Sequence, residues 1–70
     1  MIAVVDRVYK HFKGGRYVVE RLAKNCDDPN KYVVVYRSLT DGMVWARDHD
    51  DWNSEVIVNG VEVDRFQLES

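Results

Sequence analysis

The side chains of this chain best suited to chemistry are cations set among aromatics. Tyr9-Lys10-His11-Phe12-Lys13-Gly14-Gly15 alternates the two kinds up to a glycine pair, and Tyr36-Arg37, Trp45, Arg47 and Arg65 repeat the combination further along. Aromatic faces stack on flat rings, and guanidinium groups clamp phosphates or carboxylates. Arg is favoured over Lys where planar bidentate contact is wanted. Tyr9, His11, Lys13, Tyr36, Arg37, Trp45, Arg47 and Arg65 are therefore the candidate ligand-binding residues. A small nucleotide-like anion is the chemistry they fit. The structural alternative makes Trp45 and Tyr36 core, and Arg37 and Arg47 partners of Asp or Glu.

Other groupings carry less. Lys13-Gly14-Gly15-Arg16 sets backbone N–H groups between two cations, an anion nest in outline, although a glycine pair between strands commonly only turns the chain. Asp48-His49-Asp50-Asp51 offers carboxylates and an imidazole that could hold a metal or activate water, but reads more simply as a charged surface turn. Cys26 sits in a polar, acidic loop, a poor setting for a nucleophile. Nowhere do nucleophile, base and orienting group occur together, so no catalytic residue is assigned and an enzyme is the least favoured class. His11, His49 and Cys26 lack the paired spacing of zinc sites, and neither metal nor cofactor is expected.

Seventy residues make one small domain, 1–70, with a thin core. Cys26 is the sole cysteine, so no disulfide staples the fold, and by elimination self-association is the expected extra source of stability. The net charge of -2, from 10 basic and 12 acidic residues, argues against broad nucleic-acid binding, which needs a basic excess. The charge is uneven: between residues 7 and 24, Arg7, Lys10, Lys13, Arg16, Arg21 and Lys24 stand against only Glu20, while residues 48 to 55 are acidic. No apolar run approaches a membrane span. Met1-Ile2-Ala3-Val4-Val5 does not resemble a signal peptide, and one free cysteine fits the cytoplasm.

These residues need elements to position them. Val8 to Phe12 reads as a strand ending at Gly14-Gly15, followed by Tyr17 to Ala23. A polar loop around Pro29 leads to the strongest strand, Tyr32 to Leu39. Asp41-Gly42 marks a hairpin returning through Met43 to Arg47. Asp48 to Ser54 is a single helical turn, and Val56 to Val58 and Val61 to Val63 flank Asn59-Gly60. The expected fold is all-β, a small barrel or rolled antiparallel sheet of SH3-like size with at most one short helical turn. An α+β domain with a helical Val4 to Phe12 is the alternative.

Period-two alternation then assigns faces. Around Asn59-Gly60, Val56, Val58, Val61 and Val63 share a face expected to be core, with Ile57 and Glu62 behind. A two-residue Asp41-Gly42 loop pairs Thr40 with Met43, Ser38 with Trp45 and Tyr36 with Arg47. Val33, Val35, Leu39, Val44 and Ala46, with Arg37 among them, form the expected core face. Val34, Tyr36, Ser38, Trp45 and Arg47 form an aromatic, amphipathic opposite face.

The blocks Tyr9 to Gly15, Tyr17-Val18-Val19, Val34 to Leu39, Trp45-Ala46-Arg47 and Arg65-Phe66 resemble, in order, the bacterial and phage domain-of-unknown-function family 1653. The resemblance spans roughly residues 7 to 66 and implies a small all-β domain with no established activity. Three positions depart from its pattern. Thr40 stands where members usually show an aromatic, Asp48 where they show proline, and Asp51-Trp52 where they tend to show methionine-phenylalanine.

The leading functional expectation is a non-enzymatic, homo-oligomeric module that binds a small nucleotide-like anion. By analogy with other small phage proteins, in a phage this would sequester a host nucleotide signal. The alternative is a protein-interaction adaptor for a host protein, anchored by Trp45, Trp52 and Tyr36 or by an open sheet edge. An RNA or single-stranded DNA binder ranks third.

Overall fold

The computed structural model describes residues 2–69 of the expected 1–70 domain; Met1 and Ser70 lie outside the described residues. In chain order the elements are β1 (Val8–His11), β2 (Arg16–Lys24), β3 (Tyr32–Ser38), β4 (Val44–Asp48), α1 (His49–Trp52), β5 (Glu55–Val58), β6 (Val61–Asp64) and β7 (Phe66–Leu68). An antiparallel five-stranded sheet runs β4-β3-β2-β1-β7, and β5-β6 forms a separate hairpin. The fold is thus mostly β with one short helical turn. The sheet stays open and does not close into a barrel. Val8–His11 is a strand rather than part of a helix, which removes the α+β alternative. No described helix is long and apolar enough to cross a membrane.

The glycine pair is required twice over. Gly14 has φ +106°, a region closed to most L-residues, and its N–H closes the turn onto His11 O at 2.8 Å. At Gly15 a Cβ would lie 2.9 Å from the Tyr17 hydroxyl, so the Tyr17 ring needs the bare backbone. In β2 the register shifts between Val19 and Arg21, leaving Glu20 as an extra residue. This bulge moves the inward positions from Tyr17 and Val19 to Leu22, and so turns Arg21 out to solvent.

The Asn59-Gly60 hairpin forms as expected, both turn residues at positive φ and Val56 paired with Val63, Val58 with Val61. Its valine face, however, is not core. Val56 and Val63 are half-buried and Val58 and Val61 exposed, because the hairpin stands apart from the five-stranded sheet.

The β3–β4 connection also differs. Tyr36 pairs with Trp45 and Val34 with Arg47, so the loop spans Leu39 to Gly42 rather than two residues. Gly42 N–H donates to Ser38 O, and Asp41 Oδ1 accepts from Met43 N–H. A slip of two residues preserves which side chains share a face. What reverses is which face is buried. Val34, Tyr36 and Ser38 are buried, whereas Val33 and Val35 are half-buried and Leu39, Val44 and Ala46 exposed. The aromatic side wins because it offers more area per side chain, and because α1 brings Trp52 onto it.

The core is Ala3, Tyr9, Val19, Val34, Tyr36, Trp52 and Phe66. Trp52 stacks on Phe66 (centroids 3.7 Å apart, planes at 7°) and meets Tyr9 and Tyr36 edge-on at 5.2 and 5.0 Å. Each such aromatic pair adds about 0.5–1.5 kcal/mol beyond area burial. Trp52 is therefore core and cannot serve as a surface anchor. Trp52→Ala is expected to remove roughly 3–5 kcal/mol, comparable to what one small core supplies, and to leave the chain unfolded by circular dichroism at room temperature. Ile57→Ala, at a position 66% exposed on the hairpin, should change stability by less than about 0.5 kcal/mol.

Candidate functional site

Four of the eight candidate residues gather at one corner of the sheet. His11 ends β1 on the inner face, Lys13 follows in the turn, Arg47 comes from β4, and Arg65 lies between β6 and β7. Two phenylalanines organise them. Phe12 has the Lys13 ammonium 5.7 Å and the Arg65 guanidinium 5.9 Å from its ring centroid, and the Arg47 guanidinium sits 5.7 Å over Phe66. His11 packs against both, 4.5 Å from Phe12 and 4.9 Å from Phe66.

The α1 turn holds the arginines. Asp48 caps it by accepting from Asp50 N–H. That cap sets Asp51 one helical turn from Arg47, and the two form an ion pair. Arg47 Nε also donates to the Tyr36 hydroxyl at 3.4 Å; this bond, then the Asp51 carboxylate, raises the Arg47 pKa against the burial that lowers it. Ser54 donates to Asp51 O and accepts from Arg65 Nε at 2.9 Å. Asp51 and Ser54 thus bracket two guanidinium groups, Arg47 and Arg65.

His11 is prepared as a donor. Its Nδ1 accepts from the Lys13 backbone N–H at 3.1 Å, which places the ring proton on Nε2. Its pKa is lowered, first by burial and then by the nearby charges of Arg47, Arg65 and Lys13. A cleft of about 290 Å³ lies on the His11 side of the corner, walled by Phe12, Val58 and Val63 and lined also by Lys10 and Asp64; Lys13, Arg47 and Arg65 do not line it. A larger cleft of about 440 Å³ runs beside Ala3, Trp52 and Asp64; no cation lines it, so it does not suit an anion.

The other four candidates lie elsewhere. Tyr9 is buried, its hydroxyl accepting from Val4 N–H, and Tyr36 is buried beneath Arg47, so neither ring is free to stack on a ligand. Arg37 points to the opposite sheet face and pairs with Glu20 at 2.9 Å, because odd and even positions of β3 face apart. Trp45 is 52% exposed on the same face as Arg47, two residues away. The glycine turn offers less of a nest than its sequence promises. The Lys13 and Gly14 amides are engaged by His11, and Arg16 is held by Glu69 at 2.7 and 2.9 Å. Sequence reasoning missed Phe12 and Phe66 as platforms. Phe12 was readable from the alternation that flagged its neighbours; Phe66 was not, because β7 has only three residues.

His11 links this corner to stability. Unfolded, its imidazole titrates near 6.5; folded, it resists protonation and titrates lower. Above 6.5 both states are neutral and the residue contributes nothing. As pH falls through 6.5 toward the folded value, the unfolded chain takes up more protons, so stability drops. Thermal denaturation between about pH 7 and 5.5 should show this fall, and His11→Asn should flatten it.

Among the described residues, no group of three or more His, Cys, Asp and Glu side chains could hold a metal ion. Neither a curated protein nor a solved structure matches the chain significantly. Residues 7–68 match the family described as Protein of unknown function (DUF1653), nearly the whole chain, and the protein belongs to that family.

Proposed function

We propose that this protein is a non-enzymatic, cytoplasmic binding module for a small nucleotide-like anion, held at the His11–Lys13–Arg47–Arg65 corner. The observation that carries the reading is the convergence of three cations on a half-buried imidazole whose protonation is suppressed by its burial and then by their field, with Asp51 the carboxylate paired among them. Such a corner is electrostatically unfinished. An anion there gains from all three cations and accepts from the His11 Nε2–H. The Arg47 Nη2, both Arg65 Nη groups and the Lys13 ammonium have no partner among the described residues and supply further donors. On the His11 side, Phe12 with Val58 and Val63 offers an apolar wall for a flat ring, in a cleft that also holds Lys10 and Asp64.

The adaptor reading keeps one specific support, the exposed Trp45 on the open β4 edge; a stoichiometric protein recovered by pull-down, insensitive to salt, would favour it. An RNA or single-stranded DNA partner is weaker on a chain of net charge -2.

A thermal-shift screen of linear and cyclic nucleotides, with inorganic phosphate alongside, tests the anion site. A ligand at a hundred times its Kd should stabilise by about 2.7 kcal/mol. The shift should vanish in Arg65→Ala and grow as pH falls below 6.5, since a bound anion favours protonated His11. No shift with any nucleotide would sink the proposal.

A further inference from the structure

The β4 edge is open, and it is not built like a protected one. Ser38 N–H donates to Met43 O at 2.9 Å, so Ser38/Met43, Tyr36/Trp45 and Val34/Arg47 are the hydrogen-bonded pairs of the β3–β4 ladder. The backbone groups of Val44, Ala46 and Asp48 therefore turn outward. Edge strands are ordinarily blunted by Lys, Pro, a bulge or short length. The strand Val44–Asp48 has no Lys, Pro or bulge, and its charges, Arg47 and Asp48, are confined to its C-terminal end, leaving Met43-Val44-Trp45-Ala46 uncharged. Met43, Val44 and Trp45 are each more than half exposed, with Leu39 exposed beside them. The other edge, β7, is only three residues long.

We infer that β4 pairs antiparallel with β4 of a second copy of this chain, about a twofold axis at Ala46. The edge is self-complementary in that register. Ala46 exchanges both backbone bonds with its counterpart, and the outward Asp48 N–H reaches the Val44 carbonyl across the axis. Trp45 then falls opposite Arg47 of the partner subunit in a non-hydrogen-bonded pair, where facing side chains come closest, indole against guanidinium. Ala46 at the axis is small enough to let the strands meet. A standard interface takes roughly 800 Å² per partner, about a sixth of this chain's 5013 Å² surface, and the exposed Leu39–Trp45 stretch supplies its apolar part. The pairing stands whether or not the anion corner binds. If that reading also holds, Trp45 of the partner subunit walls the Arg47 side of each site.

Sedimentation equilibrium of the full chain at tens of micromolar should give a dimer, with slow hydrogen exchange at the Ala46 amide. Ala46→Pro removes an N–H that the monomer's own ladder does not use, a change edge strands tolerate, and should give a folded monomer. Val44→Glu should do the same by setting a carboxylate opposite Asp48 of the partner subunit, and stands in if Ala46→Pro fails to fold. Arg65→Ala should remain dimeric, which separates this test from that of anion binding. A monomeric wild type, a dimer that survives both edge substitutions, or a higher closed oligomer would overturn the inference.

Discussion

The stack of Trp52 on Phe66 is the contact on which the rest of this protein depends. It joins the end of α1 to the start of β7, segments that share no ladder. Without it, α1 would keep only edge-on contacts to Tyr9 and Tyr36 and its packing on β3 and β4, and a four-residue helix is far too short to persist alone. With it, Asp51 and Ser54 are fixed just beyond the ring of Trp52, within reach of Arg47 and Arg65. Core and corner are therefore one structure. The rings that exclude water from the sheet, Phe66 above all, are the rings over which the cations sit.

This economy follows from size. A chain of 70 residues has too few side chains to keep a core and a site apart. Among the described residues Val19 and Val34 are the largest fully buried side chains; the other buried positions are mainly large aromatics that reach from core to surface. Tyr36 illustrates this. Its ring lies in the core against Tyr17, Trp52 and Phe66, while its hydroxyl accepts from Arg47 at the rim. Aromatic residues with a polar tip suit such two-sided positions, since one end can be dry and the other hydrogen-bonded.

Strands and turns were legible because their signals are local. Asn59-Gly60 fixed its hairpin register, and alternation along β3 and β4 sorted the faces. The choice of core face was not legible from alternation, which is symmetric between the two sides. It depends on Trp52 arriving from α1, a non-local event. The β3–β4 register depended on loop length, and Asp41-Gly42 forms the end of a four-residue loop rather than a whole turn. Half of the candidate site was readable by residue type: His11 and Lys13 from the opening run, Arg47 and Arg65 as arginines near aromatics. Arg37 was misplaced with them, although its odd position on β3 already set it on the other face.

The electrostatics explain why such a corner survives in a small domain. Like charges near one another are costly, yet Arg47 and Arg65 each have a fixed partner, Asp51 and Ser54, and aromatic rings beneath them. What the fold does not supply is a counter-charge for the cluster as a whole, and His11 answers by staying neutral. A protonated imidazole would add a fourth positive charge; a neutral one adds a donor without repulsion. At neutral pH the three cations therefore face a neutral imidazole instead of a fourth positive charge. That neutrality arises from burial first and then from the positions of the three cations.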